Sequence, residues 1–199
     1  MRFGDKGDLS YGGKIQMGAA RLAVAKLLEA FGLDPDSEDL KETPRRVVEQ
    51  YAELFAGLYM DPPKMTTFRS DTDHTEVVLL KDIFYTSTCS HHMAPFTGKA
   101  HVAYVPGKLL SGLSKLARIV DYYAARPQLQ ERMATQVADL MEKELKPKGV
   151  AVMLTGSHGC VQTRGANKAG AQMVTTILRG VFDKSNSRFR DDFFKGVQA

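Results

Sequence analysis

Two short stretches of the chain carry the side chains most able to hold a metal. In TSTCSHHMAPF, Cys89, His91 and His92 fall within four residues, and in SHGC, His158 and Cys160 stand two apart. Thiolate and imidazole are the donors zinc takes most readily. In a straight strand Cys89 and His92 would point to opposite faces, so joint chelation needs a turn, and Pro95 marks a place where a strand ends. On a continuing strand His158, Cys160, Gln162 and Arg164 would line one wall, unless Gly159 introduces a bulge. Three protein donors with one open position make a catalytic zinc site, and four closed donors make a structural one. The spacing fits both, and it also fits two buried small apolar cysteines with surface histidines.

A second set of residues suits an anion. Ser114, Lys115 and Arg118 open a helix after Gly112-Leu113. Ser114 is a natural N-cap, free N–H groups and the helix dipole favour phosphate there, and Arg118 lies one turn on from Ser114. Lys115 adds a point charge and Arg118 a bidentate fork. The same residues also make an ordinary capped, solvated helix start. Gln130-Glu131 begins the next helix with an amide and a carboxylate. A carboxylate accepts two N–H bonds, as the N1–H and 2-amino edge of a guanine offers, although an acid at a helix start is also favoured by the dipole alone.

The elements that position these residues are readable in outline. Residues 1–13, polar with four glycines, read as a flexible arm. Apolar spacing from Ile15 to Phe31 predicts a helix stopped by Gly32, and Thr43 (N-cap) with Pro44 predicts a second, ending before Gly57. Residues 14–60 thus form a helical segment and 61–199 the remaining domain. VVLLKDIFYTSTC and GKAHVAYVPG predict two strands, the second placing Ala100, Val102 and Tyr104 on one side and His101, Ala103 and Val105 on the other. Two helices follow, from Ser114 and from just after Pro127 to about Leu145. Two further strands and an amphipathic tail, SRFRDDFFKGV, close the chain. Strand pairs around a helical insert predict an α+β fold with an antiparallel sheet.

Composition bounds the function. In 199 residues, 43% are hydrophobic and 25% charged, which excludes fibrous and wholly disordered chains. The net charge of +4 suits an anionic small molecule and makes no case for nucleic acid. No apolar run approaches a membrane span and no secretory h-region is visible, so a cytoplasmic protein is expected. In a reducing compartment, the two cysteines point to metal or catalysis rather than to a disulfide.

The segments TSTCSHH, GKAHVAYVP, LSGLSKLARIV, RPQLQERM, KGVAV, SHGCVQTRG and GVF resemble, in order and spacing, those of the GTP cyclohydrolase I family over about residues 40–183. The resemblance implies the tunnelling fold: an antiparallel four-stranded sheet with two helices on one face, preceded by N-terminal helices and closed into a barrel by oligomerisation. It implies a homo-oligomer, a decamer of two pentamers, with active sites at subunit boundaries. It implies zinc-dependent conversion of GTP and water to 7,8-dihydroneopterin triphosphate and formate, the entry to pterin and folate synthesis. Carried over, Cys89, His92 and Cys160 are the zinc ligands, and His91 and His158 the catalytic acid/base pair. Ser114, Lys115 and Arg118 match triphosphate and ribose contacts, with Ser114 assisting proton movement on the ribose. Arg164 and Arg46 match further phosphate-binding arginines, and Gln130 and Glu131 the guanine-recognition pair.

This chain has Ser90 where the family usually has Glu, and Ala171-Gln172-Met173 in place of a more hydroxyl-rich segment. A hydroxyl tunes a neighbouring histidine less than a carboxylate does, so His91 is the residue affected. Two alternatives stand beside this reading. One is a nitrile reductase of the deazaguanine pathway with the same fold, using a nucleophilic cysteine and NADPH. The paired histidines after Cys89 and the second cysteine favour zinc over it. The other is a zinc-stabilised binding module with a closed Cys₂His₂ site, which leaves Ser114–Arg118 and Gln130-Glu131 without a purpose.

Overall fold

The computed structural model describes residues 15–69 and 74–199. The expected arm, residues 1–13, lies outside the described residues. The chain divides between Asp61 and Pro62 into two compact units.

In the first unit, α1 (Met17–Ala30) ends at Phe31-Gly32, and Gly32 takes the left-handed φ of 76° that glycine adopts without cost. α1 buries no residue within its unit, and Leu22, Leu27 and Phe31 are exposed. α2 (Thr43–Leu54) has Glu42, not Thr43, at the N-cap, with Pro44 in the first turn and no side-chain cap bond. Arg45 bridges Glu42 and Glu49 across that turn at 2.8 and 2.7 Å. A 3₁₀ turn (Ala56–Leu58) follows and takes in Gly57.

The second unit is built on a sheet. β1 (Thr67–Arg69) pairs antiparallel with β4 (Leu109–Ser111) in a sheet of two strands among the described residues. Four long strands, β2 (Val78–Cys89), β3 (Pro95–Val105), β6 (Gly149–His158) and β7 (Met173–Gly180), run antiparallel in the order β2-β3-β6-β7. The sheet is not purely four-stranded: β5 (Pro127–Gln128) joins it parallel to Thr88–Cys89, making it mixed. Two residues are too few to show a periodicity, and β5 is held by the strand end beside it rather than by its own pattern.

Alternation along β3 separates two cores. Ala100, Val102 and Tyr104 pack with Leu116, Ile119, Met133, Val137 and Met141 under α3 (Leu113–Ala124) and α4 (Gln130–Leu145). Ala103 and Val105 face the other way, onto Phe182 and onto Phe193 of the C-terminal helix α6 (Arg188–Gln198). Where β2 crosses this second face, its register slips between Leu80 and Ile83, and Asp82 adopts φ 56°. The Asp82 N–H donates to His101 Nδ1 at 3.3 Å, and Lys99 pairs with the Asp82 carboxylate at 2.8 Å.

Two local expectations are corrected. The N-cap of α3 is Gly112, in extended conformation, and Ser114 is the second helical residue. Tertiary bonds fix this start: the Gly112 N–H donates to Thr66 O at 3.1 Å and the Ser111 N–H to Tyr104 Oη at 2.9 Å. β6 does not continue through Cys160 either. It ends at His158, and Gly159–Gln162 forms one helical turn, α5, so His158, Cys160, Gln162 and Arg164 do not share a strand wall. Gly159 is required there, since a Cβ would come within 2.9 Å of Pro95 O.

Candidate active site

The turn that chelation demands is present. The Cys89 N–H donates to Ala94 O at 2.8 Å and the Met93 N–H to Cys89 O at 2.9 Å, closing the loop from β2 into β3. Met93 accepts a left-handed φ of 56° to do so. The Ser90 N–H donates to Gln128 O at 3.0 Å, so β5 ties down the outgoing chain. The loop carries His92 back toward Cys89, and α5 delivers Cys160 from the end of β6.

The donor atoms of Cys89, His92 and Cys160 all lie within 4.8 Å of one another. The two sulfurs are 3.8 Å apart, and Cys89 Sγ is 3.8 Å from His92 Nδ1. Tetrahedral zinc with ordinary bond lengths places two sulfurs about 3.8 Å apart, and a sulfur and an imidazole nitrogen about 3.6 Å apart. A disulfide needs roughly 2.05 Å, and both thiols are free. Burial raises the Cys160 thiol above its ordinary pKa, and the neighbouring Cys89 sulfur adds to the rise. A second sulfur beside the Cys160 thiol and an imidazole within reach make a donor set that a divalent cation would complete.

The cluster has three members among the described residues, and His158 is not one of them. At the end of β6, His158 stacks on Phe96 at 4.3 Å with the rings 8° from parallel, and its Nε2 lies 3.0 Å from Gln130 Oε1. Burial lowers its pKa, and the Glu131 carboxylate works against that shift. Glu131, exposed in the first turn of α4, is therefore within electrostatic range of His158. His91 is exposed, its ring edge-on to His92 at 6.2 Å. Arg164, also exposed, pulls the Cys160 thiol back toward ionisation.

The anion residues lie elsewhere in the chain. α3 ends beside the metal cluster, where Ser87 Oγ donates to Arg126 O at 3.4 Å and β5 flanks Cys89. It begins at the opposite end of β2, next to Tyr104, which pairs with Val78. Ten residues of helix rise separate Ser114 from Ala124, about 15 Å. Ser114 is exposed and Lys115 half-buried at that far end, and Arg118 is exposed midway along the helix, six residues or about 9 Å of rise from Ala124. Arg46 is exposed on α2 in the first unit. One chain thus brings together Cys89, His92, Cys160, His158, Gln130 and Glu131, and it leaves Ser114 and Lys115 at the other end of α3.

Comparison with known proteins decides the family. The family model for GTP cyclohydrolase I matches residues 20–198. The chain belongs to the GTP cyclohydrolase I family. Among its relatives are the GTP cyclohydrolase 1 of Carboxydothermus hydrogenoformans, 49% identical with 82% of this chain and 86% of that one covered, and that of Streptomyces griseus, 51% identical with 81% of each covered. That of Dehalococcoides mccartyi is 46% identical over 90% of this chain and 96% of its own. Membership of the GTP cyclohydrolase I family carries the family's enzymatic activity to this chain. A solved archaeosine synthase QueF-Like in the apo form aligns with a TM-score of 0.45 at 19% identity, covering 53% of this chain and 94% of that one.

Within this GTP cyclohydrolase I, the sequence reading missed the residues that shape the back of the site. Tyr85, Phe96 and Gly156, none of which carries a chemical signal of its own in the sequence, surround Gln130 and His158. Gln130 itself is 1% exposed. The only local signal was Gly156 inside a strand, which often marks a close approach of another group.

Proposed function

We propose that the chain converts GTP and water to 7,8-dihydroneopterin triphosphate and formate, with a zinc ion held by Cys89, His92 and Cys160, for pterin or folate synthesis. The observation that carries this is the three-donor cluster: its spacing fits zinc, and the His158 imidazole is turned to Gln130 rather than into a fourth ligand position. Zinc in such a site supplies a Lewis acid that makes water nucleophilic near neutral pH.

This chain's residues do the rest. C8 of guanine is electrophilic once N7 is protonated, and His158, with His91, supplies that proton and those for ring opening and loss of formate. Glu131 accepts the N1–H and 2-amino hydrogens of guanine. Adenine lacks that donor pair, so ATP leaves the carboxylate unpaired and is rejected. Lys115, Arg118, Arg164 and Arg46 counter the triphosphate charge, and Ser114 serves the ribose. Because Ser114 and Lys115 stand away from the metal cluster in one chain, a second copy brings this helix start to it. β7, and β2 from Val78 to Ser87, are strand edges without a partner among the described residues, the means by which sheets join into a barrel. Free thiols suit a reducing, cytoplasmic setting. No helix among the described residues is long and apolar enough to cross a membrane.

The test is incubation with GTP, following formate release and the fluorescence of oxidised neopterin, with and without a chelator. Activity that survives removal of the metal refutes the zinc assignment. A Cys160→Ala protein should lose bound zinc and formate release together.

A further inference from the structure

Gln130 opens α4, a position that ordinarily faces water, yet its side chain is buried. Its Nε2 lies 3.2 Å from Leu154 O and 3.1 Å from Met173 O, and also 3.1 Å from Thr175 Oγ1. Main-chain carbonyls only accept hydrogen bonds, so the amide has one orientation, with NH₂ toward the sheet. Oε1 then faces His158 Nε2 at 3.0 Å and the Tyr85 hydroxyl at 3.4 Å. An amide oxygen has no hydrogen to give, so His158 Nε2 must carry the hydrogen of that contact. A neutral imidazole has one N–H, which leaves Nδ1 bare. The Phe96 stack fixes the plane of the ring, and the Gln130 oxygen decides which of the two nitrogens faces it.

The surroundings are shaped for this bond. At Gly156, opposite Met173 in the β6–β7 register, a Cβ would run into Gln130 Oε1 and crowd the Tyr85 hydroxyl. Glycine there keeps open the space the amide occupies. With every polar atom of its amide engaged inside the fold, Gln130 has none turned outward to read a base, and the neighbouring Glu131 is the exposed member of the pair.

We infer that Gln130 is a positioning residue that fixes His158 in one ring orientation and, when neutral, one tautomer, Nε2–H, so that Nδ1 is the nitrogen that takes up a proton and hands it to the substrate. The inference rests on the acid–base role given to His158 under Proposed function. It parallels the way a second-layer acceptor fixes the tautomer of a working histidine, where loss of the acceptor typically costs ten- to a hundredfold.

The experiment combines kinetics with ¹⁵N NMR of the assembled, histidine-labelled enzyme, the His158 signals being assigned by their loss in His158→Asn. In the wild type, Nε2 should show the protonated-type shift and Nδ1 the bare type. In Gln130→Met, similar in length without an acceptor, the two tautomers should mix. The kcat for formate release should fall about ten- to a hundredfold, with KM for GTP within about threefold. Gly156→Ala should reproduce the loss with Gln130 still present. A neutral wild-type His158 protonated at Nδ1 overturns the inference without any variant. So does a Gln130→Met enzyme whose tautomer is unchanged, or one whose defect lies in KM, which is the signature of a base contact. The NMR reading needs no turnover, so an enzyme that releases no formate from GTP would refute the proposed reaction and leave the Gln130 result standing by itself.

Discussion

The separation of the two functional clusters makes a quantitative prediction about how copies of the chain cooperate. Ser114 and Lys115 begin α3 at the Val78 end of β2, and the metal cluster sits at the Cys89 end. The helix rises about 15 Å from Ser114 to Ala124, more than the Lys115 side chain reaches. If one substrate must meet both clusters, each site draws its metal donors from one subunit and its cations from another, a head-to-tail arrangement that closes into a ring. Two inactive variants follow, Cys160→Ala, which removes the metal, and Lys115→Ala/Arg118→Ala, which removes two phosphate partners. Charged hydrogen bonds contribute roughly 1.5–3 kcal/mol each, so the double variant should lose at least about a hundredfold in kcat/KM. When the two are co-expressed in equal amounts with different affinity tags, a site has a one-half chance of an intact metal half and a one-half chance of an intact cation half. About a quarter of wild-type activity should return, read by neopterin fluorescence on doubly tagged oligomers. Doubly tagged oligomers no more active than the two parents would refute the shared site and place both clusters around one chain's own substrate.

Three further outcomes test other parts of the reading. Glu131→Ala should raise KM for GTP at least about 150-fold, the lower worth of two charged hydrogen bonds at roughly 1.5–3 kcal/mol each, with zinc content unchanged on metal analysis; equal loss of zinc and GTP binding would make Glu131 structural. Burial holds the His101 pKa below its ordinary value of 6.5, against the pull of Asp82 and with Lys99 and Lys81 adding to the fall. The unfolded chain then binds the proton more readily, so His101's contribution is fully present above about pH 6.5 and is lost as pH falls toward its lower folded value. Urea midpoints between pH 7 and 5 should therefore fall more steeply for the wild type than for His101→Asn. Phe193→Ala, which empties the fully buried anchor of α6, should cost about 3–5 kcal/mol of unfolding free energy, and an unchanged midpoint would mean that α6 does not stabilise the second core.

What could be read from the sequence were the features that local chemistry specifies. Cys and His are scarce, so their bunching at Cys89–His92 and His158–Cys160 stands out, and apolar alternation in β3 sorts its residues between two cores. What could not be read was set by partners far along the chain. Ser114 has the right chemistry for an N-cap, but Thr66 and Tyr104 hold the chain extended at Gly112, so the helix starts earlier. β5 exists because Cys89 and Thr88 offer it a ladder. Gln130 sits next to Glu131 at a helix start, where both look like exposed polar residues. Only the carbonyls of Leu154 and Met173, 24 and 43 residues away, turn one of them inward. The same cause explains why the back of a site is harder to foresee than its front. Ligand-facing residues are limited by the chemistry of the ligand, which side-chain type reveals. Residues that orient them are limited only by the geometry of the fold, and any polar side chain that satisfies the buried carbonyls can take that place.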